Sequence, residues 1–127
     1  MDYNEVIKLT PNDAGAYNSR CFARAIVGVE LQGALSDCNE SLRLKPDDAD
    51  AVDSRAFTYL KLTQYGEAIA DYNRALALNP KLASSLYGRG LAKRRNGDAA
   101  AGDADVAAAK EIRSVIADDF ARYRMRE

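Results

Sequence analysis

Residues 70–80 read ADYNRALALNP, and the chain writes this phrase twice more, as SDCNESLRLKP at 36–46 and MDYNEVIKLTP at 1–11. Asp71-Tyr72-Asn73 aligns with Asp37-Cys38-Asn39 and with Asp2-Tyr3-Asn4. Leu76 and Leu78 align with Leu42 and Leu44, then with Ile7 and Leu9. The only prolines of the chain, Pro11, Pro46 and Pro80, close the three copies, 35 and then 34 residues apart. A near-constant period of this length marks a stack of equivalent units. The segments after each proline repeat as well: AYNSRCFARA from Ala16, AVDSRAFTYL from Ala51 and SLYGRGLAKR from Ser85. Arg20, Arg55 and Arg89 fall in register, and so do Phe22, Phe57 and Leu91.

Each unit reads as two helices. In the second, Val52, Ala56 and Tyr59 recur at helical spacing, then Ala68, Tyr72, Ala75 and Leu76 do so after Thr63-Gln64-Tyr65-Gly66. Gly97-Asp98 marks the matching turn of the third unit, and an extra residue near Gly28-Val29 lengthens the first. Asp47-Asp48 places acids where a helix dipole favours them. Each proline sits between helices, where its missing N–H is harmless. The expected arrangement is a half unit (2–10), three helix pairs (12–45, 47–79 and 81–112) and a closing helix (114–125), all one domain. A single pair cannot bury its apolar faces; stacking makes the core continuous.

Composition narrows the function. The chain has 127 residues, 47% of them apolar, which suits an ordered domain. Histidine is absent, which removes the commonest general base and metal ligand. No GxSxG elbow, phosphate loop or GxGxxG follows a strand-like segment. No enzyme activity, catalytic residue, metal site or cofactor is expected. The net charge of −1 argues against nucleic acid, whose binders usually carry a basic excess. Single-stranded RNA binding is therefore a disfavoured alternative. Charge is uneven: residues 1–80 hold 8 basic and 12 acidic side chains, residues 81–127 hold 10 and 7. Cys21 and Cys38, without a CxxC pair, read as two packed free thiols. No signal peptide or membrane span is visible, so the expected location is the cytoplasm.

The units resemble tetratricopeptide repeats, which run 34 residues as helix–turn–helix. The large apolar fourth position is held by Tyr17, Val52 and Leu86, and the small eighth by Cys21, Ala56 and Gly90. The eleventh, usually aromatic, is Tyr59 in the second unit but Arg24 and Lys93 in the others. Alanine at the twentieth stands as Ala34 and Ala68, with Gly102 in the third unit. The aromatic twenty-fourth is Tyr72, with Cys38 and Val106 departing, and the small twenty-seventh is Ser41, Ala75 and Ala109. Proline at the thirty-second is Pro46 and Pro80, with Ser114 replacing it. The resemblance implies an all-α fold, a right-handed α–α superhelix of three helix pairs with a preceding half repeat and a capping helix.

It also implies a non-enzymatic module that binds a protein or peptide segment along its concave face. The stripe that would line that groove comprises Asn18, Phe22, Ala25 and Ile26, then Asp50, Asp53, Phe57, Leu60 and Lys61, then Ser84, Tyr87, Leu91, Arg94 and Arg95. Aromatic anchors with acids at one end and bases at the other suit a ligand with its own charge asymmetry. Phe22, Phe57 and Leu91 either face the groove or pack between adjacent helices. Repeats that clamp acidic chaperone tails carry Lys and Asn in the first unit, Asn in the second, Lys and Arg in the third. Asn18, Phe22, Ser54, Ser84 and Gly88 stand there instead, which argues against that ligand.

The three in-register arginines read as structural ties to a carboxylate or carbonyl of a neighbouring unit. In the closing helix, Val115, Ile116, Phe120 and Tyr123 are expected on the third pair, with Asp119, Arg122 and Arg124 in water. Tyr3, Val6, Ile7 and Leu9 form an uncovered face, so self-association through the N-terminal half repeat is a further expectation. The alternative to ligand binding is a segment of a longer solenoid.

Overall fold

The computed structural model describes residues 2–125; Met1, Arg126 and Glu127 lie outside the described residues. Eight helices follow in order, with no strand among the described residues: α1 (Tyr3–Leu9), α2 (Ala14–Val27), α3 (Leu31–Leu44), α4 (Ala49–Lys61), α5 (Tyr65–Leu78), α6 (Ala83–Arg95), α7 (Ala99–Ile112) and α8 (Ile116–Arg122). Starts are set by short acidic caps. The Asp2, Asp13, Asp48 and Asp98 carboxylates accept from the backbone N–H of Glu5, Ala16, Asp50 and Ala101. The turn inside each pair needs a left-handed residue: Gly28 at φ 80°, Gly97 at φ 98°, and Thr63, with its branched side chain, at φ 60°. At the second of these turns the Gln64 N–H reaches back to the Tyr59 carbonyl at 2.9 Å, satisfying a helix-end acceptor.

α2 packs on α3, α4 on α5 and α6 on α7, while α2, α4 and α6 also lie side by side as an inner wall. The result is an α–α solenoid. Its core is thin and built from small residues: Ala25, Ala34, Ala56, Ala68, Ala75, Ala92 and Ala109 are fully buried where helices meet. The third pair comes closest. A Cβ at Gly90 would stand 2.8 Å from the Gly102 carbonyl oxygen, and one at Gly102 2.6 Å from that of Gly90. Glycine at position twenty of this unit, a departure from the alanine of the other two, is thus required by contact.

The aligned arginines form a repeated clasp. Arg20 grips Asp37 with two donors at 2.8 and 2.6 Å and donates to Asn4 at 2.8 Å. Arg55 does the same to Asp71 and Asn39, and Arg89 to Asp105 and Asn73. The carboxylate belongs to the second helix of the arginine's own pair and the amide to the helix before it. The ties are structural, as the sequence suggests, but the acid is within the pair, not in a neighbour. The repeated Asp-x-Asn triplet is the other half of this device: one residue faces its own pair, and the residue two further on faces the next. At position eleven, Arg24 and Lys93 add a second cation to Asp37 and Asp105, at 2.9 Å each. Burial pushes the Asp105 carboxyl up, but the bonds from Arg89 and Lys93 hold it below its ordinary value.

The cysteines are not free thiols. Cys21 and Cys38 form a disulfide with Cα atoms 5.5 Å apart. The physical reason lies in the repeat. Positions eight and twenty-four are opposing contacts of the two helices of a pair; Ala56 faces Tyr72 there in the second unit, and Gly90 meets Val106 in the third. Two cysteines at such a contact are within bonding range.

Candidate interaction groove

α8 does not rest on the third pair alone. Its Phe120 ring lies 4.6 Å from Tyr87 of α6 and 5.9 Å from Phe57 of α4, and Tyr123, just beyond it, lies 5.0 Å from Phe22 of α2. One aromatic from each helix of the inner wall is therefore engaged by the C-terminal segment, which crosses the concave face. Lys61 donates to the Ile26 carbonyl at 3.3 Å and to the Arg124 carbonyl at 3.4 Å, tying the segment to the wall. Burial lowers the Lys61 pKa, and nearby Arg124 adds to it. Asp119 is buried, held by Arg113 and Arg122, so it does not face water as expected. The hydrogen bond from Arg113 holds its carboxyl below the ordinary value, against the opposing effect of burial. Val115, expected on the core, is exposed.

The residues expected in the groove separate into two sets. Phe57, Tyr87 and Leu91 are buried beneath α8 in the main core cluster. Arg94 bonds Asp103 at 2.7 Å, and Arg95 donates to the Met125 sulfur at 3.0 Å. Lys61 sits at the border. Asn18, Phe22, Asp50 and Asp53 line a hollow of about 420 Å³ between α2 and α4, together with Ile26 and Tyr3. Asp53 also faces a smaller cavity of about 110 Å³ closed by Phe120 and Tyr123. Ser84 and Ser85 of α6 donate to it at 3.0 and 2.6 Å. Desolvation raises its pKa to about 6 despite those bonds, and the Asp50 charge pushes the same way. The Asn18 side-chain oxygen is buried without a hydrogen-bond partner.

Sequence reasoning did not foresee Phe120, Tyr123 and Met125 as occupants of the inner wall. A signal was present: two aromatics three residues apart at the chain's end, with arginines between and after them. Among the described residues no cluster of metal-ligating side chains is found, and no helix is long and apolar enough to cross a membrane.

Paired helices at a 34-residue period, stacked with first helices inward, define a helical-repeat solenoid with a side-chain-lined inner wall. The sequence model of the family described as TPR repeat matches residues 58–97. The fold resembles the crystal structure of MamA, with a TM-score of 0.77 at 19% identity over 95% of this chain and 70% of that one. It also resembles the first TPR domain of human RPAP3, with a TM-score of 0.76 at 18% identity over 90% of this chain and 91% of that one. The first TPR of Spaghetti (RPAP3), bound to the HSP90 peptide SRMEEVD, gives 0.74 at 18% identity, over 87% and 90% of the two chains. A comparison with curated protein sequences returns no match. The chain is a tetratricopeptide-repeat protein.

Proposed function

We propose that this chain is a non-enzymatic interaction module that receives a segment of a protein partner on its inner wall. The observation that carries this is the seating of Phe120 and Tyr123 among Phe22, Phe57 and Tyr87. The wall accepts side chains from a crossing segment, and beside α8 it leaves a hollow of about 420 Å³ open. A rigid preformed wall of this kind reduces the ordering cost of binding. The RPAP3 repeats, seen with the peptide SRMEEVD, support a peptide ligand for this architecture. Nucleic acid is disfavoured, because Asp50 and Asp53 line the open stretch and would repel phosphate. The disulfide counts against a cytoplasmic location, since reducing compartments keep thiols free.

The test is a peptide array of mixed composition probed with wild type and with Phe22→Ala. Binding that Phe22→Ala weakens supports the groove. Binding untouched by that change, or none at all, overturns it.

A second reading, self-association, is favoured by a separate observation. Tyr3, Val27 and Val29 are exposed around another hollow of about 510 Å³ between α1 and α2. Analytical ultracentrifugation tests it: a dimer lost on Val29→Asp supports this face, and a monomer at high concentration refutes it.

A further inference from the structure

The open stretch of the inner wall has a different charge from the full stripe. The bipolar arrangement expected from sequence, acids at one end and bases at the other, does not survive folding. α8 covers the C-terminal part; Arg94 is engaged by Asp103, Arg95 by the Met125 sulfur, and Lys61 by two carbonyls. None of the residues lining the 420 Å³ hollow carries a positive charge. Asp50 is exposed and has no basic partner among the described residues. Asp53 receives only the two serine hydroxyls, and the two carboxylates repel one another. The Asn18 oxygen adds a third acceptor, buried and unmatched. Unpaired buried acceptors are costly, so a donor that satisfies all three gains more than one of them alone would supply. Across the same hollow, Phe22 and Ile26 offer a half-buried apolar wall.

We propose that this stretch binds a cationic segment of a partner protein, with an Arg or Lys side chain among Asn18, Asp50 and Asp53 and an apolar neighbour against Phe22 and Ile26. The inference rests on the groove reading above and names the partner's chemistry. The site carries charge opposite to that of a wall made for an acidic peptide such as SRMEEVD. The apolar wall distinguishes a protein segment from a bare polyamine, which would use the acids alone.

Two fluorescein-labelled heptapeptides test this by anisotropy: one alternating arginine and leucine, the other SRMEEVD. Wild type is expected to bind the first saturably and the second not at all. Asp50→Asn, an exposed change that leaves the Ser84 and Ser85 bonds in place, is expected to weaken binding about tenfold. Asn18→Lys, which puts a cation into the hollow, is expected to abolish it. Circular dichroism melts confirm that both variants fold.

Equal binding of SRMEEVD, or binding unchanged in both variants, overturns the assignment. So does displacement of the arginine–leucine probe by spermidine as readily as by unlabelled peptide. A dimer that Asp50→Asn dissociates would overturn it too, because the occupant would then be the arginine-rich tail of a second copy. If array peptides bind through Phe22 without preferring cations, this inference fails while the groove stands. If no array peptide binds, both fail.

Discussion

Replacing Phe120 with alanine should detach the C-terminal segment from the inner wall while leaving the repeats folded. The side chain is 2% exposed, with ring centroids 4.6 Å from Tyr87, 5.9 Å from Phe57 and 5.6 Å from Tyr123. Truncating a buried phenylalanine costs about 3–5 kcal/mol. α8 has seven residues, too few to be helical unaided, so its order depends on docking. Its remaining buried anchors are Ile116 and Met125, one at each end of the segment. A loss of about 3 kcal/mol lowers the docking constant by a factor of about 150. Hydrogen exchange read by NMR should therefore show amides of residues 116–122 accelerating by about a hundredfold, with α4 and α5 changing far less. A double-mutant cycle with Phe57→Ala should return a coupling of about 1 kcal/mol, the size typical of an aromatic pair. Unchanged exchange in α8, or zero coupling, would refute the reasoning that these rings hold the segment.

Thr63→Gly should stabilise the protein by about 1 kcal/mol, because a branched residue now stands at φ 60° where the other two turns use glycine; chemical denaturation checks it. Asn73→Ala removes the amide that Arg89 reaches across the unit boundary and should cost about 1 kcal/mol, as should Asn39→Ala, with additive effects in urea titrations. Reducing the Cys21–Cys38 disulfide, which spans 17 residues, should lower stability by about 3 kcal/mol, seen as a lower urea midpoint with reductant present. The Asp53 pKa, raised to about 6 by burial, means that the folded state holds this proton more tightly than the unfolded chain. The Asp53 contribution to stability is therefore fully present below about pH 4 and is lost as pH rises through 6. Asp53→Asn should abolish this component, so the urea midpoint of wild type minus that of the variant should fall between pH 4 and pH 7. A flat difference would show that Asp53 titrates normally.

The repeat was legible because it is local. A period of 34 residues, proline between helices, aspartate at helix starts and small residues where helices touch are all facts about near neighbours. Each unit must satisfy the same contacts, so the sequence repeats its own instructions. Even the clasp is written in one dimension, as a repeated arginine and a repeated Asp-x-Asn triplet. Which helix each half would face was a matter of geometry. The disulfide was present as two residues seventeen apart, but bonding requires two Cα atoms at 5.5 Å, a distance that exists only once the pair has closed.

The groove was the opposite case. The sequence by itself determined which side chains point inward from α2, α4 and α6, because helical periodicity settles that within each helix. It did not determine which of them remain open. Phe57, Tyr87 and Leu91 are removed from the surface by α8, a segment up to about a hundred residues away from the rings it covers. Periodicity marks α8 as an apolar-faced helix but says nothing of where it docks; only the shape of the finished inner wall decides that. Tertiary structure therefore converted a long bipolar stripe into a short acidic hollow around Asn18, Phe22, Asp50 and Asp53. The reason is physical: intrahelical order is set by neighbours along the chain, while exposure is set by whatever else the fold brings to the same place.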